Sequence, residues 1–281
     1  MFKGFISEPV MDHFIDCKNQ FPEQQIVMLS LVGSQNYSLA TETSDYDTKC
    51  CVLPSWKDII QAHQPYAHTF IRTNGEHIDF TDFRSMMNIL KKQNINFIEQ
   101  LFTEEYFINE WYYDEVKNLR IMREEIAHYN PCKAVQTMAG IAKSKEKRIF
   151  RPLNEEKNEI FNEFGYHPKE LAQLYRITCF LTAYTNNNDF ADCLKSSNRD
   201  IFLDLKTTKY DIDIVQDIVK AHMSRVVKLE DDFLRTHETT HLPVIDLLLE
   251  ETSESILKKY LKRILNIRKE NEVDYRFNTS L

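Results

Sequence analysis

The sequence predicts an α+β protein: a small mixed β-sheet head with flanking helices, followed by a mostly α-helical body. Three observations predict it. β-rich apolar runs of strand length fall within the first 83 residues, while from "FRSMMNILKK" onward apolar residues recur at i, i+3, i+4 spacing. The chain also has no Gly/Ser-rich linker, repeat or low-complexity tract, so the head is expected to pack directly on the body. The expected division is residues 1–105 and 106–281, with a soft boundary near 105.

In chain order, residues 8–20 carry the spacing of a short amphipathic helix. "QQIVMLSLV" (24–32) is a β-rich run that stops at Gly33, and "DYDTKCCVLP" (45–54) alternates and stops at Pro54, which reads as a second strand. "SWKDII" pairs a serine cap with helical spacing. "HTFIRTNGEHIDFTDF" (68–83) reads as a hairpin turning at Asn74–Gly75. Further on, Asn130–Pro131 and His167–Pro168 mark helix starts, because proline suits a first helical turn and restricts the residue before it.

Composition narrows the function. With 42% hydrophobic and 12% aromatic residues the chain can bury a core, which excludes global disorder. A net charge of −8, from 43 acidic and 35 basic side chains, excludes a chain-wide basic footprint but not a local basic groove. No apolar run approaches the roughly 20 residues that span a bilayer, and the first twenty residues lack the apolar region of a signal peptide. Cys17, Cys50, Cys51, Cys132, Cys179 and Cys193 show no CxxC spacing and read as reduced thiols. The expectation is a soluble, cytoplasmic protein with no membrane partner.

The chemistry concentrates in "VGSQNYSLATETSDYDTKCC". Gly33 lets backbone approach a phosphate where a Cβ would collide, and the following N–H groups with the Ser34 hydroxyl can donate to triphosphate oxygens. Asp45 and Asp47, two residues apart on an expected strand, place like charges on one face; a divalent ion makes that tolerable, and carboxylates are hard ligands suited to Mg²⁺. Lys49 shares their alternation and either neutralises phosphate or pairs with the aspartates. Asn36 and Tyr37 are expected to shape the loop.

A strand ending in Gly33–Ser34, a ten-residue gap and Asp45-x-Asp47 on the next strand resemble the nucleotidyltransferase superfamily of DNA polymerase β. "GSQNYSLATETSDYDTK" is most similar to the RNA-repair-pathway, polymerase-β-like nucleotidyltransferases; the likeness continues in "NINFIEQLF" (94–102) and more loosely in "GIAKSKEK" (140–147) and "FGYHPKELAQLYR" (164–176). The resemblance implies a metal-dependent transfer of a nucleoside monophosphate from an NTP to an acceptor hydroxyl, with pyrophosphate released. It implies Mg²⁺ or Mn²⁺ held by Asp45, Asp47 and a third carboxylate. Asp79, flanked by Ile78 and Phe80, fits the superfamily's apolar-Asp-apolar pattern and would also take the acceptor's proton. Asp82, which could equally cap a helix, and Glu76 compete for that role. The acceptor is an RNA 3′ end on the family label, with a protein or small-molecule hydroxyl as alternatives.

Around this centre, Lys143 and Lys147 share a helix face and either reach the triphosphate or form a solvated face with Lys145, Arg148 and Arg151. Gly140, one turn upstream, suggests close helix packing or close ligand approach. His167 and Lys169 are weaker candidates for the same duty, read mainly as structural. "ILKKYLKRILNIRK" (256–269) is a basic amphipathic helix offering Lys258, Lys259, Lys262, Arg263, Arg268 and Lys269 to an RNA backbone or to the acidic stretch before it. Trp111, Tyr112 and Tyr113 read as core residues in preference to a base-stacking platform. Two rivals use the same residues: a non-catalytic nucleotide-sensing or partner-binding module of a toxin–antitoxin or phage-defence pair, and a phosphodiesterase or nuclease. The retained Asp-x-Asp weighs against the first, and the Gly33–Ser34 cradle against the second.

Overall fold

The computed structural model describes the backbone of residues 2–152 and 155–278, and side chains of residues 3–152 and 159–266. Six strands form one mixed sheet: β1 (Phe2–Phe5), β2 (Ile26–Val32), β3 (Asp47–Val52), β4 (Ala67–Ile71), β5 (His77–Asp82) and β6 (Tyr106–Asn109), in the spatial order β1-β6-β2-β3-β5-β4. All neighbours pair antiparallel except β3 and β5, which run parallel. The strands expected at 24–32 and 45–54 and the hairpin at 68–83 are present, with β3 opening at Asp47 instead of Asp45. Two edge-side strands, β1 and β6, carry too few residues to show a periodicity. β6 begins one residue past the division expected at 105, so the sheet takes in chain from both sides of it.

The sheet is covered on both faces, which is why all seven residues of β2 are buried. Helix α1 (Glu8–Gln20) lays Val10, Phe14 and Cys17 on one face, against Leu29, Leu31, Cys50, Val52, Ile78 and Phe80. The opposite face, with Met28 and Cys51, joins a larger cluster that runs on into the body. Cys50 and Cys51 therefore face opposite cores, as strand alternation dictates, and all six cysteines are free thiols.

Short helices follow the head's strands. In α2 (Trp56–Ile60), Ser55 and Asp58 form a reciprocal capping box. Asp82 caps α3 (Phe83–Lys91), and α4 (Ile95–Ile98) leads into a 3₁₀ turn, Glu99–Leu101. The body comprises α5 (Tyr113–Ile121), α6 (Arg123–Ala127), α7 (Pro131–Ile149), α8 (Glu155–Phe164), α9 (Pro168–Thr185), α10 (Phe190–Leu194), α11 (Arg199–Thr207), α12 (Ile212–Thr236) and α13 (Pro243–Asn278). Asn130 and His167 are the N-caps of α7 and α9, each with proline next, as the sequence indicates. α9 is buried along nearly its whole length, between α7, α11 and α12. No described helix is long and apolar enough to cross a membrane.

Candidate active site

Gly33, Asp47, Lys49 and Asp79 converge at one end of the sheet, on the face turned toward the body. In the ladder Val32 lies opposite Asp47, Ser30 opposite Lys49, and Lys49 beside Asp79 on the parallel strand. Asp47, Lys49 and Asp79 thus share a face by alternation and register. Gly33 closes β2 with φ +79°, and an added Cβ would stand 3.4 Å from Asp47 Oδ2. A Gly33→Ala protein should lose about 1–2 kcal/mol in urea unfolding, the usual cost of a left-handed L-residue, and would crowd the Asp47 carboxylate.

From Gly33 the chain enters a 3₁₀ turn, Gly33–Gln35, whose carbonyls take the N–H groups of Asn36 and Leu39. The side chain of Asn36 donates to the Glu99 carbonyl at 3.1 Å, and Tyr37 is buried with its hydroxyl on the Glu99 carboxyl. The Arg176 guanidinium of α9 lies 4.0 Å from the Tyr37 ring centroid. Asn36 and Tyr37 therefore shape the loop, as expected, and the body grips it through Arg176. Burial pushes the Tyr37 hydroxyl far up.

Asp47 is half-buried, and its Oδ1 is a buried atom with no hydrogen-bond partner; His77 Nδ1 stands 3.5 Å from it. Burial pushes this carboxyl up, His77 and Lys169 pull it down, and Asp45 adds to the upward push. Asp45 is exposed in the loop just before β3. Tyr46 and Thr48, the alternate positions, are held from behind the sheet. The Tyr46 N–H donates to Glu76 Oε1 at 3.3 Å, and Thr48 Oγ1 bonds His13 Nδ1 at 2.9 Å. His13, fully buried, reaches Glu76 Oε2 at 3.0 Å, where Arg72 and Asn74 also donate, each at 2.7 Å. Burial alone would raise the Glu76 carboxyl, but these bonds hold it down at about 2.

Those contacts place the three candidates for a third carboxylate in different surroundings. Glu76 is spent behind the sheet, and Asp82 caps α3 through the Arg84 N–H (2.8 Å) while pairing with the Arg84 guanidinium (2.7 Å). Asp79 faces the site, where Lys49 Nζ donates to Oδ2 at 3.0 Å and Thr69 Oγ1 to Oδ1 at 2.6 Å. Burial raises its carboxyl, and Lys49 and Thr69 more than offset this, leaving it low. Among the described residues no group of three or more His, Cys, Asp or Glu side chains is gathered as for a metal ion. Asp47, with a buried oxygen lacking a donor beside exposed Asp45, suits a hard cation; Asp79 is satisfied by Lys49 as it stands.

Glu99, within "NINFIEQLF", carries no role that local sequence predicts. It is buried under the loop, its Oε2 accepting from the Gly33 N–H at 3.4 Å. Burial raises its carboxyl, while Lys49 and Arg176 draw it back. A lone acid between Ile98 and Leu101 is the signal that could have found it.

The basic candidates separate. Lys143 pairs with Glu230 of α12 at 2.8 Å, and Lys147 is exposed. Instead Lys145 and Arg148 pair with Glu170 in the first turn of α9, at 2.9 and 3.0 Å, next to Lys169, which acts on Asp47. His167 is structural, bonding the Arg151 carbonyl at 2.9 Å. An added Cβ at Gly140 would meet open space, so close helix packing does not explain that glycine. In α13, Lys258 pairs with Glu254 and Lys259 with Glu115, while Arg263 lies over Trp111; the side chains of Arg268 and Lys269 lie outside the described residues. Tyr112 is core, but Trp111 is half-exposed, because the 3₁₀ turn at 110–112 rotates it away from its neighbour.

A family model described as RlaP, RNA repair pathway DNA polymerase beta family, matches residues 6–278. No curated protein matches the chain. Among solved structures the chain is similar to a nucleotidyltransferase-like protein from Exiguobacterium sibiricum 255-15, with 8% identity, a TM-score of 0.29, and coverage of 80% of this chain and 75% of that one. So distant a likeness carries no argument about chemistry.

Proposed function

The chain belongs to the RNA repair pathway DNA polymerase beta family, and from that premise we propose that it is a metal-dependent nucleotidyltransferase. It would transfer a nucleoside monophosphate from an NTP to an acceptor hydroxyl, an RNA 3′ end first among acceptors, and release pyrophosphate. The observation that carries this reading is the convergence of Gly33, Asp47, Lys49 and Asp79 on one sheet face, with a buried Asp47 oxygen left without a donor.

Asp45 and Asp47 would hold Mg²⁺ or Mn²⁺, which supplies charge neutralisation at the triphosphate and lowers the barrier to in-line displacement at the α-phosphate. The N–H groups after Gly33 and the Ser34 hydroxyl would orient the phosphates. Lys49, buried to 8% exposure, gives the site a cation that can move from Asp79 to phosphate. Asp79, ionised at neutral pH, is then free to join the metal ligands or to accept the acceptor's proton. Lys169, which acts on Asp47 and lies next to the Glu170 that pairs with Lys145 and Arg148, would be a further cation for the phosphates beside Lys143 and Lys147.

The test is transfer itself. The purified protein is incubated with each α-labelled NTP, Mg²⁺ or Mn²⁺, and cellular RNA or a protein lysate, beside an Asp45→Ala/Asp47→Ala control. Label that reaches RNA or protein and disappears in the control and in EDTA is the expected result. Metal-independent nucleotide binding without transfer to any acceptor would move the reading to a nucleotide-sensing module.

A further inference from the structure

The largest concentration of cation–aromatic pairs in the described residues lies away from the aspartates, around α5 and β6. Lys3 and Lys117 flank the Tyr113 ring at 4.6 and 5.9 Å, Arg120 stacks on Tyr106 at 3.7 Å, and Arg123 stands 5.3 Å from Phe102. Tyr106, Tyr113, Lys117, Arg120, Ile121 and Arg123 line an open pocket of about 440 Å³. That volume falls in the range of small-ligand sites, roughly 300–1,000 Å³. We propose that this pocket binds a nucleotide unit of single-stranded RNA, outside the transfer site, and so holds the acceptor strand. The proposal rests on the reading above for the acceptor's identity.

Arg120 is the preorganised element. Its guanidinium donates to the Thr103 carbonyl at 2.7 Å and the Gln100 carbonyl at 3.4 Å, which holds it over the Tyr106 ring, 3.7 Å from the centroid. A fixed guanidinium plane on an aromatic ring extends the stack that a base can join, and the lysines beside Tyr113 offer charge to the neighbouring phosphates. Ile121, 63% exposed, adds apolar surface that a base would cover. The one carboxylate lining the pocket, Glu124, is turned to the N-terminus of α10, accepting from the Phe190 and Ala191 N–H groups at 2.8 and 3.1 Å. In a chain of net charge −8, three cations lining one aromatic pocket mark a local complement to a polyanion. Tyr106 pairs with Ser30 on β2, three residues before Gly33, which puts the pocket one strand from the proposed cradle on the same sheet face. An acidic peptide fits this chemistry less well, since it brings no flat unsaturated ring to the Arg120–Tyr106 stack.

The experiment measures RNA affinity without NTP and in EDTA, so that it stands apart from transfer. A fluorescein-labelled single-stranded RNA of about 20 nucleotides is titrated with the full chain by anisotropy at several salt concentrations. Lys117→Glu/Arg123→Glu should weaken binding at least about tenfold at low salt. Lys117→Gln/Arg123→Gln should reduce the slope of log K against log salt by about 1.4, given about 0.7 per phosphate contact on single strands. Tyr113→Ala should cost about fivefold or more, the low end for a stacked base. Lys228→Glu/Arg235→Glu on α12 serves as the distant control. Equal affinity of the pocket variants, a pocket effect matched by the α12 control, preference for a blunt duplex, or no RNA binding by the wild type would each overturn the assignment. Melting curves on every variant check folding, and the glutamine pair remains informative if the charge reversal fails to fold. Loss of transfer activity in any of them leaves this test unaffected.

Discussion

An Asp47→Asn protein is expected to lose nucleotidyl transfer by about a thousandfold or more while keeping its fold. The substitution preserves shape but removes the charge from the carboxylate whose Oδ1 is buried without a donor. About 4 kcal/mol of transition-state stabilisation is what that rate loss represents, in the range of removing one strong electrostatic contact from an active site. Stability should move the other way or not at all. In the folded chain this carboxylate is penalised by burial and by Asp45, with His77 and Lys169 offsetting part of that, so a neutral amide there relieves a cost. A melting midpoint equal to or above wild type, beside single-turnover rates at saturating NTP, is the pair of measurements. A variant that loses activity only by unfolding would refute the assignment of Asp47 to the chemistry.

Replacing Glu76 should have the largest effect on stability. Glu76→Ala leaves His13 fully buried without its carboxylate and removes the partner shared by Arg72, Asn74 and the Tyr46 N–H. Breaking such a buried ionic network costs about 3–5 kcal/mol. The pH dependence has a definite sign. The folded carboxyl titrates at about 2, below its ordinary 4.5, so its contribution is fully present above 4.5 and fades as pH falls toward 2. That shift corresponds to roughly 3 kcal/mol at most. Urea unfolding of wild type and variant at pH 7 and pH 3 should show the gap between them narrowing in acid. The variant should also bind Mn²⁺ less tightly, measured by paramagnetic resonance, because positions 46 and 48 on either side of Asp47 lose their anchor. A gap that stays constant with pH would contradict the linkage.

Much of the head could be read from its residues alone. Local chemistry decided the helix at 8–20, the strands ending at Gly33 and Pro54, the capping box at Ser55, the Asn74–Gly75 hairpin and the proline-marked starts of α7 and α9, because each signal lies within a few neighbouring residues. The family resemblance carried by Gly33–Ser34 and Asp45-x-Asp47 reached to about residue 176, and the family match extends past it to residue 278, over a stretch where periodicity offered only helices. Tertiary structure alone decided which acid stands where. Glu76, Asp79 and Asp82 sit within seven residues on or beside one strand, and only register and packing send the first behind the sheet, the second to the site and the third to a helix cap. The same holds for the basic residues. Lys143 and Lys145 differ by two positions on α7, and which one pairs with α9 and which with α12 depends on the rotation of that helix against its neighbours. Glu99, Tyr37 and Arg176 come together from three distant segments, a juxtaposition that no local periodicity encodes.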